Sequence, residues 1–333
     1  MLKAAIGDIH LSGFQSDKLD QQNLPERLGI IIKTLDYIIT KCRERGIKQI
    51  DFLGDLVNDK SIIFSIAQDL FKEFLTRNKD INFTIISGNH DLSSTGELQK
   101  SAISVFSEYS NVHCICHEPE VIGNITYVPY SDKFLELIST IQANDILISH
   151  LGLNEAMLQS GLSKVDKISI KDLKKFKLVL LGHYHKPQQV GHAYYCGSVF
   201  AKDWNDKNET KRFLIYNTET LEVESIPIEG FIGFKEFIID DTSNKNEILK
   251  QAEIAQNQGH RVRIRNHSKE KIKDETSGVL VIEQQEIDIT NRGITITQTK
   301  DEQLRKYLDI KEIPETERQE YLNLVSKYDL MKG

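Results

Sequence analysis

The 333-residue chain has no apolar run long enough to cross a bilayer. Its longest, such as Leu28–Ile32 and Leu178–Leu181, fall far short of the roughly 20 residues a spanning helix needs, so no membrane is expected as a partner. The opening residues Met1-Leu2-Lys3-Ala4-Ala5-Ile6-Gly7-Asp8 run straight into an apolar strand and then charge, with no leader-like core. Cysteine is scarce. Cys42, Cys114, Cys116 and Cys196 show no disulfide-framework spacing, which excludes a small oxidised scaffold and predicts free thiols in a reducing compartment. A basic excess is missing too: Lys+Arg 42 against Asp+Glu 49 leaves a net charge of −7, the wrong sign for holding nucleic acid by bulk electrostatics. Repeats and low-complexity tracts are absent, and Trp204 is the single tryptophan.

What is present reads as globular, with 39% hydrophobic and 27% charged residues. A chain of this length can bury roughly 75% of its unfolded surface. The first 200 or so residues alternate strand and helix. Short apolar strands at Ala4–Ile6, Ile50–Leu53, Phe83–Ile86, Ile146–Ile148 and Leu178–Leu181 each run into a polar turn. Helical spacing of apolar residues covers Glu26–Arg45, between Pro25 and Gly46, and about Ile62–Thr76. This is an α/β pattern, which collects active sites at one sheet edge. From Tyr194 the texture shifts to short strands, and a boundary is expected near Gly230–Gly233. Residues 231–299 read as a small α+β unit, with a helix at Asn246–Asn257 and strands at Phe237–Ile239, Arg261–Arg265, Val279–Glu283 and Gly293–Gln298. Residues 300–333 read as a short helical tail.

The strand ends carry the chemistry. Asp8-x-His10, Gly54-Asp55, Gly88-Asn89-His90-Asp91, His150 and Gly182-His183-x-His185 each follow an apolar strand. Any one Gly-Asp pair could be an ordinary turn with a carboxylate capping a helix. Five such turns in register are hard to obtain for packing, because several Asp together repel unless a cation joins them. Carboxylate, imidazole and carboxamide without thiolate suit Mn, Fe, Zn or Mg rather than a closed structural zinc site. In extended strand ends, residues i and i+2 point to one side, which would aim Asp8 with His10 and His183 with His185 at one region. Two cations roughly 3.5–4 Å apart form the site type that activates water for in-line attack on phosphorus.

In order, spacing and strand context these motifs resemble those of the calcineurin-like metallophosphoesterases. The resemblance implies a β-sandwich flanked by helices over residues 1–230 and two divalent metal ions, Mn²⁺ foremost, with Mg²⁺, Fe²⁺ or Zn²⁺ as alternatives. It implies one metal held by Asp8, His10, Asp55 and His185, and the other by Asp55, Asn89, His150 and His183. His90 would donate a proton to the leaving oxygen. Three residues after the bridging Asp the family often carries His or Asp; this chain has Asn58, which can orient an imidazole by accepting from its N–H but cannot act as an acid.

Features beyond the motifs point to a substrate. Tyr195-Cys196-Gly197-Ser198 followed by Asp203-Trp204, a small capping domain and a helical tail resemble the SbcD-type DNA repair nuclease subunits and phage recombination endonuclease subunits. The resemblance implies DNA as substrate, in recombination, repair or replication, in the cytoplasm of a bacterium or a phage-infected host. It also implies that residues 300–333 dock on an SMC-like coiled-coil ATPase of the SbcC type. The alternative is a stand-alone phosphatase or small-nucleotide phosphodiesterase. Arg261, Arg263 and Arg265 alternate with Val262 and Ile264, and Lys269, Lys271 and Lys273 follow with only Glu270 opposed. That island is either a phosphate track on DNA or a solvated strand face. His113-Cys114-Ile115-Cys116-His117 imitates a zinc tract, but in a strand its cysteines and histidines face opposite ways. Helices near Ile62–Thr76 and Gly96–Tyr109 would offer a homodimer interface.

Overall fold

The computed structural model describes residues 1–14, 17–60, 62–93, 100–157, 166–268, 270, 272, 280–283, 300–311, 313–316 and 318. The chain runs β1 (Leu2–Ile6), α1 (Glu26–Glu44), β2 (Gln49–Phe52), α2 (Ser65–Arg77), β3 (Asn82–Ile86) and β4 (Val112–Ile115). It continues through β5 (Glu120–Ile122), β6 (Ile125–Val128), α3 (Phe134–Thr140), β7 (Ile146–His150), β8 (Leu178–Gly182), β9 (Gln188–Val190) and β10 (Ala193–Tyr195). Then come β11 (Arg212–Asn217), β12 (Val223–Pro227), β13 (Phe234–Ile239), α4 (Lys245–Asn257), β14 (Arg261–Asn266), β15 (Leu280–Glu283) and α5 (Lys300–Ile310).

Two six-stranded sheets pack as a sandwich, in the orders β12-β11-β1-β2-β3-β4 and β5-β6-β7-β8-β10-β9. Their central strands are parallel, and strands buried on both faces must be apolar on both. The two-residue period sorts them. In β8, Leu178 and Leu180 join the core between the sheets with Ala5, Ile148 and Leu214. Val179 and Leu181 face the other way, under α3 and the 3₁₀ turn Ile170–Leu173. On the opposite outer face, Leu28, Ile31, Leu35 and Ile38 of α1 and Phe71 and Phe74 of α2 cover the first sheet. Burying each such side chain contributes about 1.5–3 kcal/mol. Gly46, at φ +69°, ends α1 in the left-handed turn that glycine favours.

The second helix starts later than its apolar spacing suggests. Phe64 stays extended at φ −70°, ψ 127°, and its ring fills the space where a Cβ on Gly13 would stand, so tertiary packing overrides helical periodicity there. Of the helix expected over Gly96–Tyr109, the described residues show a 3₁₀ stretch, Ala102–Phe106.

A third sheet, β13-β14-β15, is all parallel. With α4 it encloses its own small core of Ile239, Ala252, Ala255, Val262 and Ile264. The strand expected at Gly293–Gln298, the lysines Lys269, Lys271 and Lys273, and the tail residues Tyr321, Leu322, Leu324 and Val325 lie outside the described residues.

Candidate metal centre

The turns that carry the candidate ligands are not extended strand ends. Asp8, His10, Asp55 and His183 have φ of +48°, +50°, +51° and +98°, a region non-glycine residues seldom occupy outside functional sites. The i, i+2 geometry expected for Asp8/His10 and His183/His185 is therefore corrected: left-handed turns, not the strand pleat, bring these side chains inward. Glycines make room for them. A Cβ on Gly88 would lie 2.2 Å from Asp55 Oδ1, and one on Gly182 would lie 2.1 Å from the Leu53 carbonyl.

At the centre Asp55 is buried. Its Oδ1 accepts the His90 backbone N–H at 2.8 Å, while Oδ2 stands 3.4 Å from His150 Nε2 and 3.7 Å from His10 Nε2. On one side, His10 Nε2 faces His185 Nε2 at 2.9 Å, and Asp8 completes a group with both. On the other side Asn89 Oδ1 lies 3.1 Å from both His150 Nε2 and His183 Nδ1. Three overlapping groups have ligand atoms within 4.8 Å of one another: Asp8–His10–His185, His10–Asp55–His90 and Asp8–Asp55–His150. The seven residues expected as ligands thus lie around one centre, buried at Asp8, His10, Asp55 and His150 and half-buried at Asn89, His183 and His185, and Asp55 lies between its two halves.

This donor set fits divalent cations. It is oxygen and imidazole with no thiolate. His150 donates Nδ1–H to the Leu53 carbonyl at 2.8 Å, which aims Nε2 at Asp55, the orientation a metal-binding imidazole needs. His10 Nδ1 is buried and has no hydrogen-bond partner.

A profile of the calcineurin-like phosphoesterases matches residues 1–208. The chain belongs to that family. Among curated proteins, this phosphoesterase resembles "Exonuclease subunit 1" of enterobacteria phage T4, at 24% identity over 256 residues that cover 70% of this chain and 73% of that protein. Similar solved structures include nuclease MPE of Pseudomonas putida, at 14% identity and TM-score 0.30, covering 68% of this chain and 72% of that one. A dimetal phosphatase from Danio rerio matches at 11% identity and TM-score 0.43, over 69% of this chain and 99% of its own. Structural scores this low add no weight to the family match.

Electrostatics around Asp55 push neighbouring groups apart, a pattern typical of functional sites. Burial, with the nearby Asp55 charge, raises the Asp8 carboxyl to about 7. Burial would also raise Asp55, but His150, His10 and His90 outweigh it and hold the group well below the usual carboxylate range. Burial lowers His10, and lowers His185 to about 4. It would lower His150 as well, yet Asp55 and Asp8 raise that imidazole to about 9.

His90 is half-buried at the rim. Its Nδ1–H donates to the Asn58 carbonyl at 2.6 Å. The part expected of the Asn58 side chain therefore falls to its backbone, because the Asn58 carboxamide instead donates to Asp59 Oδ2 at 3.3 Å. Asp91, which sequence reasoning left without a role, is fully buried. It accepts the backbone N–H groups of Gly88 at 2.7 Å, Val57 at 2.9 Å and Leu56 at 3.3 Å. It ties the Asn89–His90 turn to the strand that carries Asp55, and burial raises it to about 7. Beside His183 opens a cavity of about 420 Å³ lined by Tyr130, Phe134, Leu151 and Asp166.

The arginine strand alternates as its sequence implies. Val262 and Ile264 are buried and the three arginines share the other face, but each guanidinium is already partnered. Arg261 donates to Glu26 at 2.9 Å, while Arg263 and Arg265 donate to Glu236 at 2.5 and 2.8 Å. Sequence spacing missed both acids because they come from elsewhere in the chain. Trp204 packs between Phe234, at 4.9 Å between ring centroids, and the Arg263 guanidinium, 4.2 Å from its ring. The His113–His117 tract forms none of the ligand groups among the described residues. His113 pairs instead with Glu120 at 2.7 Å.

Proposed function

We propose that this phosphoesterase is the nuclease subunit of a DNA-processing complex, hydrolysing phosphodiester bonds with two divalent cations, Mn²⁺ foremost. Asp8, His10, Asp55 and His185 hold one cation, Asn89, His150, His183 and the shared Asp55 the other. When bound, such ions neutralise the non-bridging phosphate oxygens and make water acidic enough to attack phosphorus. The protein's own groups do the rest. The buried turns orient the scissile phosphate in line, and the cavity beside His183 takes a neighbouring nucleoside. His90, fixed through Nδ1–H on the Asn58 carbonyl, carries on Nε2 the proton for the departing oxygen.

The observation that carries the nuclease reading is the extent of the match to the phage T4 exonuclease subunit. The family match ends at residue 208, and 70% of the chain cannot be covered without passing that point. The separate core of the third sheet favours a division into residues 1–230, a capping unit 231–299 and a tail 300–333. The match to the phage subunit also supports action as one subunit among others. The net charge of −7 and the paired arginines favour a partner that supplies the grip on DNA, an SMC-like coiled-coil ATPase docked on residues 300–333. On this reading the protein works in recombination, repair or replication, in bacterial or phage-infected cytoplasm.

The test combines hydrolysis and capture. With Mn²⁺, linear duplex DNA is cleaved in preference to bis-p-nitrophenyl phosphate, and the full chain retains the ATPase from host extract whereas a chain ending at residue 299 does not. Faster turnover of the small ester, with no ATPase retained, establishes the stand-alone phosphodiesterase instead.

A further inference from the structure

Lys211 is buried beneath the metal centre with all of its polar reach in use. Its side chain is 0% exposed and its ammonium faces two carboxylates, Glu209 at 2.8 Å and Asp206 at 3.3 Å. It also donates to Ser198 Oγ at 3.0 Å and to the carbonyl of His185 at 3.4 Å. That carbonyl is further held by the Ser198 N–H at 3.1 Å. One ammonium therefore pins the backbone of a candidate metal ligand to the Gly197-Ser198 loop and to Asp206.

Asp206 leads outward. It closes the short 3₁₀ turn Trp204–Asp206, and its other oxygen accepts the Lys202 N–H at 2.7 Å. Trp204 at the head of this turn meets Phe234 and Arg263 in the third sheet. Two residues past Asp206, Asn208 exchanges side-chain and backbone hydrogen bonds with Glu236 at 3.0 and 3.1 Å, the acid that holds Arg263. A continuous polar path thus joins His185 to the sheet of β13–β15. Burying an ammonium costs several kcal/mol unless every donor is met, so the cluster follows the His185 backbone as a unit.

We propose that Lys211 is a positioning residue for the metal centre, fixing the His185 backbone and coupling cation binding there to the Trp204 turn and, through it, to the third sheet. This rests on the metal site proposed above, and the test separates the two.

Mn²⁺ alone is titrated into the metal-free full-length chain. Calorimetry follows binding and the emission maximum of Trp204, the only tryptophan, follows the turn; paramagnetic quenching dims emission without moving its maximum. In the unaltered protein the maximum shifts with the same midpoint as binding. In Lys211→Met, Mn²⁺ affinity falls by about tenfold, the low end for a group that orients a ligand, and the shift is lost. Lys211→Arg, which keeps charge and donors, restores both. If Lys211→Met does not fold, the unaltered protein still decides, since saturable Mn²⁺ binding with a stationary maximum overturns the coupling. Unchanged affinity in a folded Lys211→Met overturns the positioning role. No Mn²⁺ binding to the unaltered protein removes the metal site itself, and this inference with it.

Discussion

The candidate metal centre and the arginine strand are both dense in charge, yet they are built on opposite rules. On β14 each guanidinium meets a carboxylate, and Glu236 serves two of them. Charge there is compensated inside the protein, and the result is a joint that ties β14 to β13 and to α1. Around Asp55, two carboxylates and five imidazoles are crowded with compensation only in part: His150 meets Asp55 at 3.4 Å, but two imidazole nitrogens face each other at 2.9 Å and His10 Nδ1 has no hydrogen-bond partner. Folding does not assemble such a cluster for stability, because buried polar groups cost free energy unless satisfied. The contrast teaches that the density of charged residues is a poor guide to a site, and that what counts is whether the protein itself neutralises them.

Substitutions can break that contrast. The largest effect belongs to the centre. Asp55→Ala should abolish Mn²⁺-dependent cleavage of duplex DNA, and His90→Ala should slow it by roughly 10²–10⁴-fold, the range for losing a general acid. With bis-p-nitrophenyl phosphate, whose leaving group needs no proton, His90→Ala should cost much less. An equal loss on both substrates would show that His90 is not the proton donor.

Next comes Asp91→Ala, which leaves three buried N–H groups without their acceptor. It should lower unfolding free energy by at least about 2 kcal/mol, measured by urea denaturation; a smaller change would mean that water replaces the carboxylate. A subtler effect is expected at Glu236. Burial would raise this acid, but Lys207, Arg265 and Arg263 outweigh it and hold it at about 2, against an ordinary 4.5. A depressed carboxylate contributes stability that is present above its unfolded value and lost as pH falls through the folded one. The joint should therefore loosen between about pH 4.5 and 2, seen as a change in Trp204 emission that Glu236→Gln largely removes. The smallest effect is Arg265→Ala, a half-exposed member of a shared pair worth about 1 kcal/mol or less. It should leave the salt dependence of DNA cleavage nearly unchanged, and a loss of about one unit of salt slope would instead restore the phosphate-track reading.

Much of this protein was written in its sequence. Strand periodicity and the turn residues after each strand placed β1, β2, β3 and β8 within a residue or two, because a strand buried on both faces is largely apolar and ends where a run of polar residues begins. The candidate ligand types were equally legible, since Asp, Asn and His at five such ends serve no packing purpose. Three things required the tertiary structure. Left-handed backbone at Asp8, His10, Asp55 and His183 reversed the expected geometry, because glycines such as Gly88 and Gly182 allow approaches no local pattern announces. The partners of Arg261 and Arg263, Glu26 and Glu236, lie 235 and 27 residues away, and Coulomb attraction acts through space without regard to that separation. The placing of Asp91 and Lys211 beneath the ligands depends on which buried donors and acceptors the fold leaves to be satisfied, a quantity that exists only once the sheets have packed.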